Sequence, residues 1–189
     1  QDSYKSILES FIHADSDNSV KVNVHPIHSE SINKTNVKSL MSNLDGVLVA
    51  PGFGDRGIEG KILAAQFARV NNIPYFGICL GMQISVIEFA RNVMKFNRAN
   101  STEFDKKTKN PVVALVEEWR ESSGKKVLAD KENMGGTMRL GGQVCKLKKK
   151  SNSYRMYKNL EIVESHRHRY EVNPKFKDKM ISAGLDVVG

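Results

Sequence analysis

Ile73-Pro74-Tyr75-Phe76-Gly77-Ile78-Cys79-Leu80-Gly81 is the stretch that decides the fold. Its first six residues form a short apolar run of the kind that makes a buried strand. After it, Met82, Val86, Phe89 and Val93 recur at helical spacing across Met82 to Met94 and are expected to be that helix's buried face. Between strand and helix, Gly77-Ile78-Cys79-Leu80-Gly81 brackets one nucleophilic side chain with two glycines, the pattern of a nucleophile elbow. The glycines permit a tight backbone and let neighbouring elements approach without a clashing Cβ. Such a turn lifts its central side chain out of the sheet at the carboxyl end of the strand, where open α/β sheets bind ligands. The helix beginning after Cys79 offers unpaired N–H groups and a positive dipole end, which is expected to favour a thiolate. The Leu80 N–H is then placed to bind a developing oxyanion. Without its two glycines Cys79 would read as a small buried hydrophobe.

Working outward, Leu44–Ala50 reads as a buried strand ended by Pro51-Gly52-Phe53-Gly54, whose backbone amides can form the other half of an oxyanion pocket. A helix is predicted over about 58–70, with Ile58, Ile62 and Ala65 on one stripe and Leu63, Phe67 and Val70 beside it. Upstream, Tyr4, Ile7, Leu8, Phe11 and Ile12 fit a helix, Val20, Val22 and Val24 alternate as a strand would, and Val37, Leu40, Met41 and Leu44 fit a second helix. Downstream, Val112–Val116, Val127–Ala129, Gln143–Leu147 and Ile162–Val172 read as strands, with a last helix around Phe176–Ala183 and a strand beginning at Val187-Val188. Alternating strands and helices imply one α/β domain over residues 1–189, a central, mostly parallel sheet flanked by helices. Because the opening helix has no strand before it, the chain is expected to begin a few residues inside its domain.

Composition excludes several classes. At 189 residues, 40% hydrophobic and 26% charged, the chain suits one globular domain. It has no apolar run of the roughly 20 residues that a membrane-spanning helix needs, and its first residues carry no signal-peptide pattern. Two cysteines, Cys79 and Cys145, make no disulfide framework, so a cytoplasmic setting is expected. No metal-ligand spacing is evident. Residues 1–94 carry 8 Lys/Arg against 9 Asp/Glu, and residues 95–189 carry 21 against 12. The basic second half raises a nucleic-acid reading, but aromatics do not interleave with Lys146, Lys148, Lys149 and Lys150, so a solvated face is expected there.

Five segments occur in order along the chain: Pro51-Gly52-Phe53-Gly54, Cys79-Leu80-Gly81-Met82-Gln83, Asn100-Ser101-Thr102-Glu103-Phe104, Met134-Gly135-Gly136-Thr137-Met138-Arg139-Leu140-Gly141 and His166-Arg167-His168-Arg169-Tyr170-Glu171-Val172-Asn173. Together they resemble the glutaminase domain of the CTP synthase family, which is a class I glutamine amidotransferase with a flavodoxin-like fold. The elbow is shared widely among thiol hydrolases; the last two segments are the specific ones. The resemblance implies that Cys79 attacks the side-chain amide of L-glutamine, and that the amides of Gly52 and Leu80 hold the oxyanion. It further implies that Gly52, Phe53, Leu80, Gly81, Met82, Gln83, Glu103, Arg169 and Tyr170 contact glutamine, with Glu103 suited to its α-ammonium and Arg169 to its α-carboxylate.

Arg56-Gly57-Ile58-Glu59-Gly60-Lys61 resembles a segment implicated in activation by GTP, with Arg56, Gly57 and Glu59 as candidates; it reads equally as a helix N-terminus with an acid in its first turn. Thr137, Met138 and Arg139 resemble a loop facing a synthetase domain of the same polypeptide. That domain would use ATP, UTP and magnesium and assemble as a homotetramer, while no cofactor is expected in the residues at hand. The family's triad histidine and glutamate lie in a His-x-Glu segment, and none of His13, His25, His28, His166 or His168 has Glu two residues on. That segment is expected beyond Gly189, leaving the isolated chain impaired. Two other readings stand beside this one: a thiol hydrolase or chaperone-like protein on a related α/β fold, and a basic non-catalytic binding module.

Overall fold

The computed structural model describes residues 4–115, 118–120, 126–128 and 138–189, the strands at 118–120 and 126–128 by backbone alone. The expected strand residues Val116 and Ala129, and residues 134–137 of the glycine-rich motif, lie outside the described residues. In chain order the elements are α1 (Lys5–Asn18), α2 (Val37–Met41), β1 (Val47–Val49), α3 (Ile58–Val70), β2 (Tyr75–Gly77), α4 (Leu80–Asn92), β3 (Asn100–Ser101) and β4 (Pro111–Leu115). They continue with β5 (Glu118–Arg120), β6 (Lys126–Leu128), β7 (Arg139–Lys146), α5 (Asn152–Tyr157), β8 (Glu161–His168), β9 (Tyr170–Val172) and α6 (Pro174–Ser182).

The architecture is mixed α/β. β1 and β2 pair in parallel, with Val47 opposite Tyr75 and Val49 opposite Gly77. β3 and β4 are also parallel, and β9 joins β4 antiparallel. β5 pairs with β6, and β7 pairs with β8 over eight positions, both antiparallel.

Helix α3 begins where the sequence places it, after Gly57 at φ 68°, where an added Cβ would collide with Ser29 Oγ. Its stripe of Ile58, Ile62 and Ala65 is buried against Leu80, Ile84, Val86, Ile87 and Ala90 of α4, together with Val112, Val113 and Met180. On its flank, Leu63 and Phe67 pack on a second cluster of Ile32, Met41 and Ala64, whereas Val70 at the helix end is exposed. At the α3–α4 seam the buried Glu88 carboxylate accepts from Arg69 Nε at 2.9 Å and Nη2 at 2.7 Å, and from Asn92 Nδ2 at 3.0 Å. A buried carboxylate of this kind is tolerated because its oxygens are fully engaged by charge-assisted donors.

Four expectations need correction. The buried apolar side chains of α4 are Leu80, Ile84, Val86, Ile87 and Ala90; of the expected face Met82, Val86, Phe89 and Val93 only Val86 is buried, while Met82 is exposed and Phe89 and Val93 are half-buried. Val20, Val22 and Val24 form no strand; their backbone is instead tied to the end of α1, with Val20 N–H donating to the Asp15 carbonyl and Val22 N–H to Asp15 Oδ1. All three side chains are exposed, because alternation alone makes no strand without a neighbour to pair with. Ile162–Val172 is two strands, since the chain changes partner at Arg169 from β7 to β4. Val187-Val188 is not a strand, although the Val188 carbonyl accepts from Lys148 N–H at 2.8 Å.

Candidate active site

The elbow forms as the sequence implies, and the coordinates show why both glycines are needed. A Cβ on Gly77 would strike the Gly81 carbonyl and the Met82 nitrogen, and one on Gly81 would strike the Val49 carbonyl of β1. The Ile78 N–H also donates to that carbonyl at 3.1 Å, so β1 and the elbow are locked together. Between the glycines, Cys79 is forced to φ 54° and ψ −105°. That conformation costs a non-glycine residue on the order of 1–3 kcal/mol and persists only where the surroundings over-determine it. It leaves the thiol half-exposed beyond the strand end, open to a ligand.

Leu80 N–H points at the Cys79 sulfur and favours its ionised form. Two other influences act against that contact. Burial, and the nearby Glu103 carboxylate, push the thiol's pKa above its ordinary value despite the Leu80 contact. Among the described residues Cys79 is therefore held as a thiol, and its attack requires a proton acceptor.

The loop after β1 closes over the same spot. An added Cβ on Gly52 would lie 3.3 Å from Leu80 Cδ2, so the Gly52 backbone packs against the Leu80 side chain. Phe53 is 91% exposed on this loop. Gly54 N–H donates to Glu103 Oε1 at 2.8 Å, so Glu103 reaches across 49 residues to hold the loop. Glu103 is delivered by the turn after β3, where Thr102 N–H donates to the Val113 carbonyl and Glu103 N–H to Ser101 Oγ.

Gln83 is buried on α4, and its Nε2 donates to the Tyr170 carbonyl at 2.9 Å, tying the elbow helix to β9. Tyr170 is half-buried, and burial together with the Glu103 charge pushes its phenol up. Glu103 thus bonds the loop after β1 at Gly54, Gln83 bonds β9 at Tyr170, and the Glu103 charge acts on both Cys79 and Tyr170. Met82 and Arg169 are exposed at the ends of α4 and β8.

Arg56, Gly57 and Glu59 stand at the start of α3. Exposed Arg56 pairs with Glu30 at 3.4 Å, and Glu59 pairs with Arg91 at 2.9 Å. His166 and His168 lie on β8, 3.0 Å apart between Nδ1 and Nε2, with Cys145 Sγ 3.9 Å from His166 Nε2. Arg139 on β7 pairs with Glu171 on β9 at 3.1 Å.

Two contacts escaped the sequence reading. One is the Gly54–Glu103 bond, for which no spacing rule exists. The other is Tyr75 Oη, which donates to the Gly81 carbonyl at 2.7 Å. Its signal was available: Tyr75 is the one polar-tipped side chain of an apolar strand, two residues before Gly77 and so on the same face.

Comparison with known proteins agrees with this geometry. The glutamine amidotransferase class-I family model matches residues 1–189. A CTP synthase of Flavobacterium johnsoniae is 56% identical over 189 residues, all of this chain and 34% of its own length. A CTP synthase of Christiangramia forsetii is 55% identical over 185 residues, 98% of this chain and 32% of its own length. The chain thus spans about a third of these relatives. Among solved structures, the glutaminase domain of Trypanosoma brucei CTPS with bound acivicin superposes with a TM-score of 0.85 at 38% identity, covering 99% of this chain and 69% of that one.

Proposed function

The chain belongs to the class I glutamine amidotransferases, as a domain of the kind CTP synthases carry, and from that premise we propose how its residues release ammonia from L-glutamine. The Cys79 sulfur attacks the side-chain carboxamide carbon, and the carbonyl oxygen takes up negative charge between the N–H groups of Gly52 and Leu80. Collapse breaks the carbon–nitrogen bond; the thiol proton ends on the departing nitrogen, so ammonia leaves and a thioester remains. Water then adds to the acyl carbon, glutamate departs, and the proton returns to sulfur. The observation that carries this reading is the elbow itself: a strained, half-exposed cysteine between two glycines that tolerate no Cβ, at the start of α4.

Glu103 is positioned to receive the α-ammonium of glutamine, and Arg169 its α-carboxylate. Gln83 and Tyr170 set that wall, and Gly81, Met82 and Phe53 complete the pocket. The raised thiol pKa means that a general base does the deprotonation. We assign it to a histidine outside residues 1–189, because His166 and His168 are engaged with each other on the β7–β8 face.

The longer relatives support a wider proposal. The ammonia passes to a synthetase domain of the same polypeptide, which uses ATP and magnesium to aminate UTP to CTP in a cytoplasmic homotetramer. GTP acts as activator through Arg56, Gly57 and Glu59, with the exposed Arg56 guanidinium offering a phosphate contact.

The test is alkylation of the full-length protein by a glutamine-like chloroketone, followed by peptide mapping, alongside Cys79→Ala. The label is expected on Cys79, and the variant should lose glutamine hydrolysis by roughly a thousandfold or more. A label elsewhere, or hydrolysis that survives Cys79→Ala, removes the assignment.

A further inference from the structure

We propose that Tyr75 is a positioning residue for the nucleophile: its hydroxyl, 2.7 Å from the Gly81 carbonyl, pins the first turn of α4 and so holds Cys79 in its strained pose. The inference rests on the reading of Cys79 as nucleophile and adds a part to that machinery.

The elbow has to reverse the chain within four residues, from Gly77 at the end of β2 to Gly81 in the first turn of α4. A disfavoured backbone pose relaxes unless both of its ends are fixed. The strand end is fixed by the parallel pairing of Val49 with Gly77 and by Ile78 N–H on the Val49 carbonyl. The helix end is fixed on one side by Gly81 N–H, which donates to the Ile78 carbonyl at 3.0 Å, and by Gly77 packing flat against the Gly81–Met82 peptide. Beside the helical bonds of that turn, among them Gln83 N–H on the Cys79 carbonyl at 3.2 Å, Tyr75 Oη adds a side-chain hold on the same peptide. Tyr75 and Gly77 lie on one face of β2, so the strand that delivers Cys79 also clamps the turn that follows it.

Tyr75 is suited to the part. Burial, with help from the Glu88 carboxylate, pushes its phenol far above the ordinary range, so it stays a donor at every working pH. A carbonyl has two lone pairs, so Gly81 accepts this bond without surrendering a helical one. The Gly81 carbonyl is one residue beyond Leu80, whose N–H faces the sulfur. Losing the clamp lets the first turn rotate and carries that N–H away from both the sulfur and the oxyanion position, where errors of about 1 Å are costly.

The experiment is Tyr75→Phe in the full-length protein, which deletes one oxygen and keeps the ring. Glutamine hydrolysis is expected to lose about five- to twentyfold in kcat with KM changed less than about twofold, because the lost contacts serve the transition state. Chloroketone alkylation of Cys79 should slow by a similar factor, while the unfolding temperature drops by only about a few degrees. Tyr75→Leu, which also lacks the hydroxyl, should reproduce the kcat loss. Unchanged kcat in Tyr75→Phe, a loss carried by KM, or a Leu variant far worse than Phe would overturn the role of the hydroxyl. If Cys79→Ala keeps its activity, the nucleophile reading fails instead, whatever Tyr75 does.

Discussion

Residues 47–92 and residues 139–172 each carry one of the chain's distinctive motifs, but they are built to different tolerances. In the first region β1, β2, α3 and α4 meet backbone to backbone: the Gly81 position touches the Val49 carbonyl, the Gly77 position touches the Gly81–Met82 peptide, and Ala68, Ile84, Ile87 and Ala90 are wholly buried. In the second, β7 and β8 form a long antiparallel ribbon with one face in solvent, where Leu140, Val144 and Val163 are exposed. Gly141 has room, since a Cβ there would meet nothing within 4 Å, and one on Gly142 would meet a side-chain methyl of Val163 at 3.1 Å rather than backbone. A thiol that must be held in a strained conformation needs the first kind of surroundings, because only close packing keeps a backbone from relaxing. A ribbon needs little more than its ladder and its charges.

The same substitution placed in both regions is the sharpest way to break this contrast. Gly81→Ala drives a methyl into the Val49 carbonyl and should cost about 2–4 kcal/mol of stability, with glutamine hydrolysis falling by roughly a hundredfold or more. Gly141→Ala meets no neighbour and bears only the cost of φ 84°, about 1 kcal/mol, and should leave hydrolysis within about twofold. Denaturant unfolding and steady-state assays of the two variants measure both effects. Equal losses would erase the distinction between the regions.

A second pair tests packing without touching the site's backbone. Ile87 is completely buried between α3 and β4, so Ile87→Ala leaves a cavity and should cost about 2–5 kcal/mol. Val163 is 69% exposed on β8, and Val163→Ala should stay within about 0.5 kcal/mol. Chemical denaturation midpoints at matched slope decide it. A Val163 loss as large as that of Ile87 would mean that the ribbon's outer face is covered in solution.

The contrast also explains what was legible in the sequence. The elbow and α3 could be read because their constraints are local: two glycines four residues apart, and a stripe of Ile58, Ile62 and Ala65 at helical spacing. The order and type of elements from β1 to α4 follow from that. The α4 face is harder to read because Met82, a long apolar side chain one turn before Val86, fits an inward stripe, whereas it is exposed and the buried stripe runs through Leu80, Ile84, Val86, Ile87 and Ala90. Val20, Val22 and Val24 show the opposite failure, a good local pattern whose outcome is set by a pairing that lies elsewhere. In the second half, α5 was missed because its signals are a Ser151 cap accepting from Tyr154 N–H and a short polar turn, with no buried stripe. The ion pair of Arg139 with Glu171 and the bond of Glu103 to Gly54 join residues 32 and 49 positions apart, and no periodicity encodes such pairs.

The smallest expected effect belongs to the ribbon and turns on His168. Its imidazole is half-buried, with His166 beside it on β8 and Arg139 opposite on β7, itself paired with Glu171 of β9. Burial first, then the neighbouring His166 and Arg139, pushes the His168 pKa below the ordinary histidine value, against a weaker backbone contact at Tyr170 that pulls upward. The unfolded ribbon therefore takes up a proton more readily than the folded one. The stability this group contributes is fully present above the ordinary histidine range and is lost as pH falls through the depressed folded value. Because the group is half-exposed, solvent screening keeps the effect small. Amide hydrogen exchange, corrected for intrinsic rates, should show β7 and β8 opening about two- to threefold more often at pH 5.5 than at pH 7.5, while α3 and α4 hold constant. His168→Gln, which cannot charge, should abolish the pH dependence. A slope shared equally by α4, or one that persists in His168→Gln, would show that acid acts on the fold as a whole and that the ribbon does not open separately from the elbow.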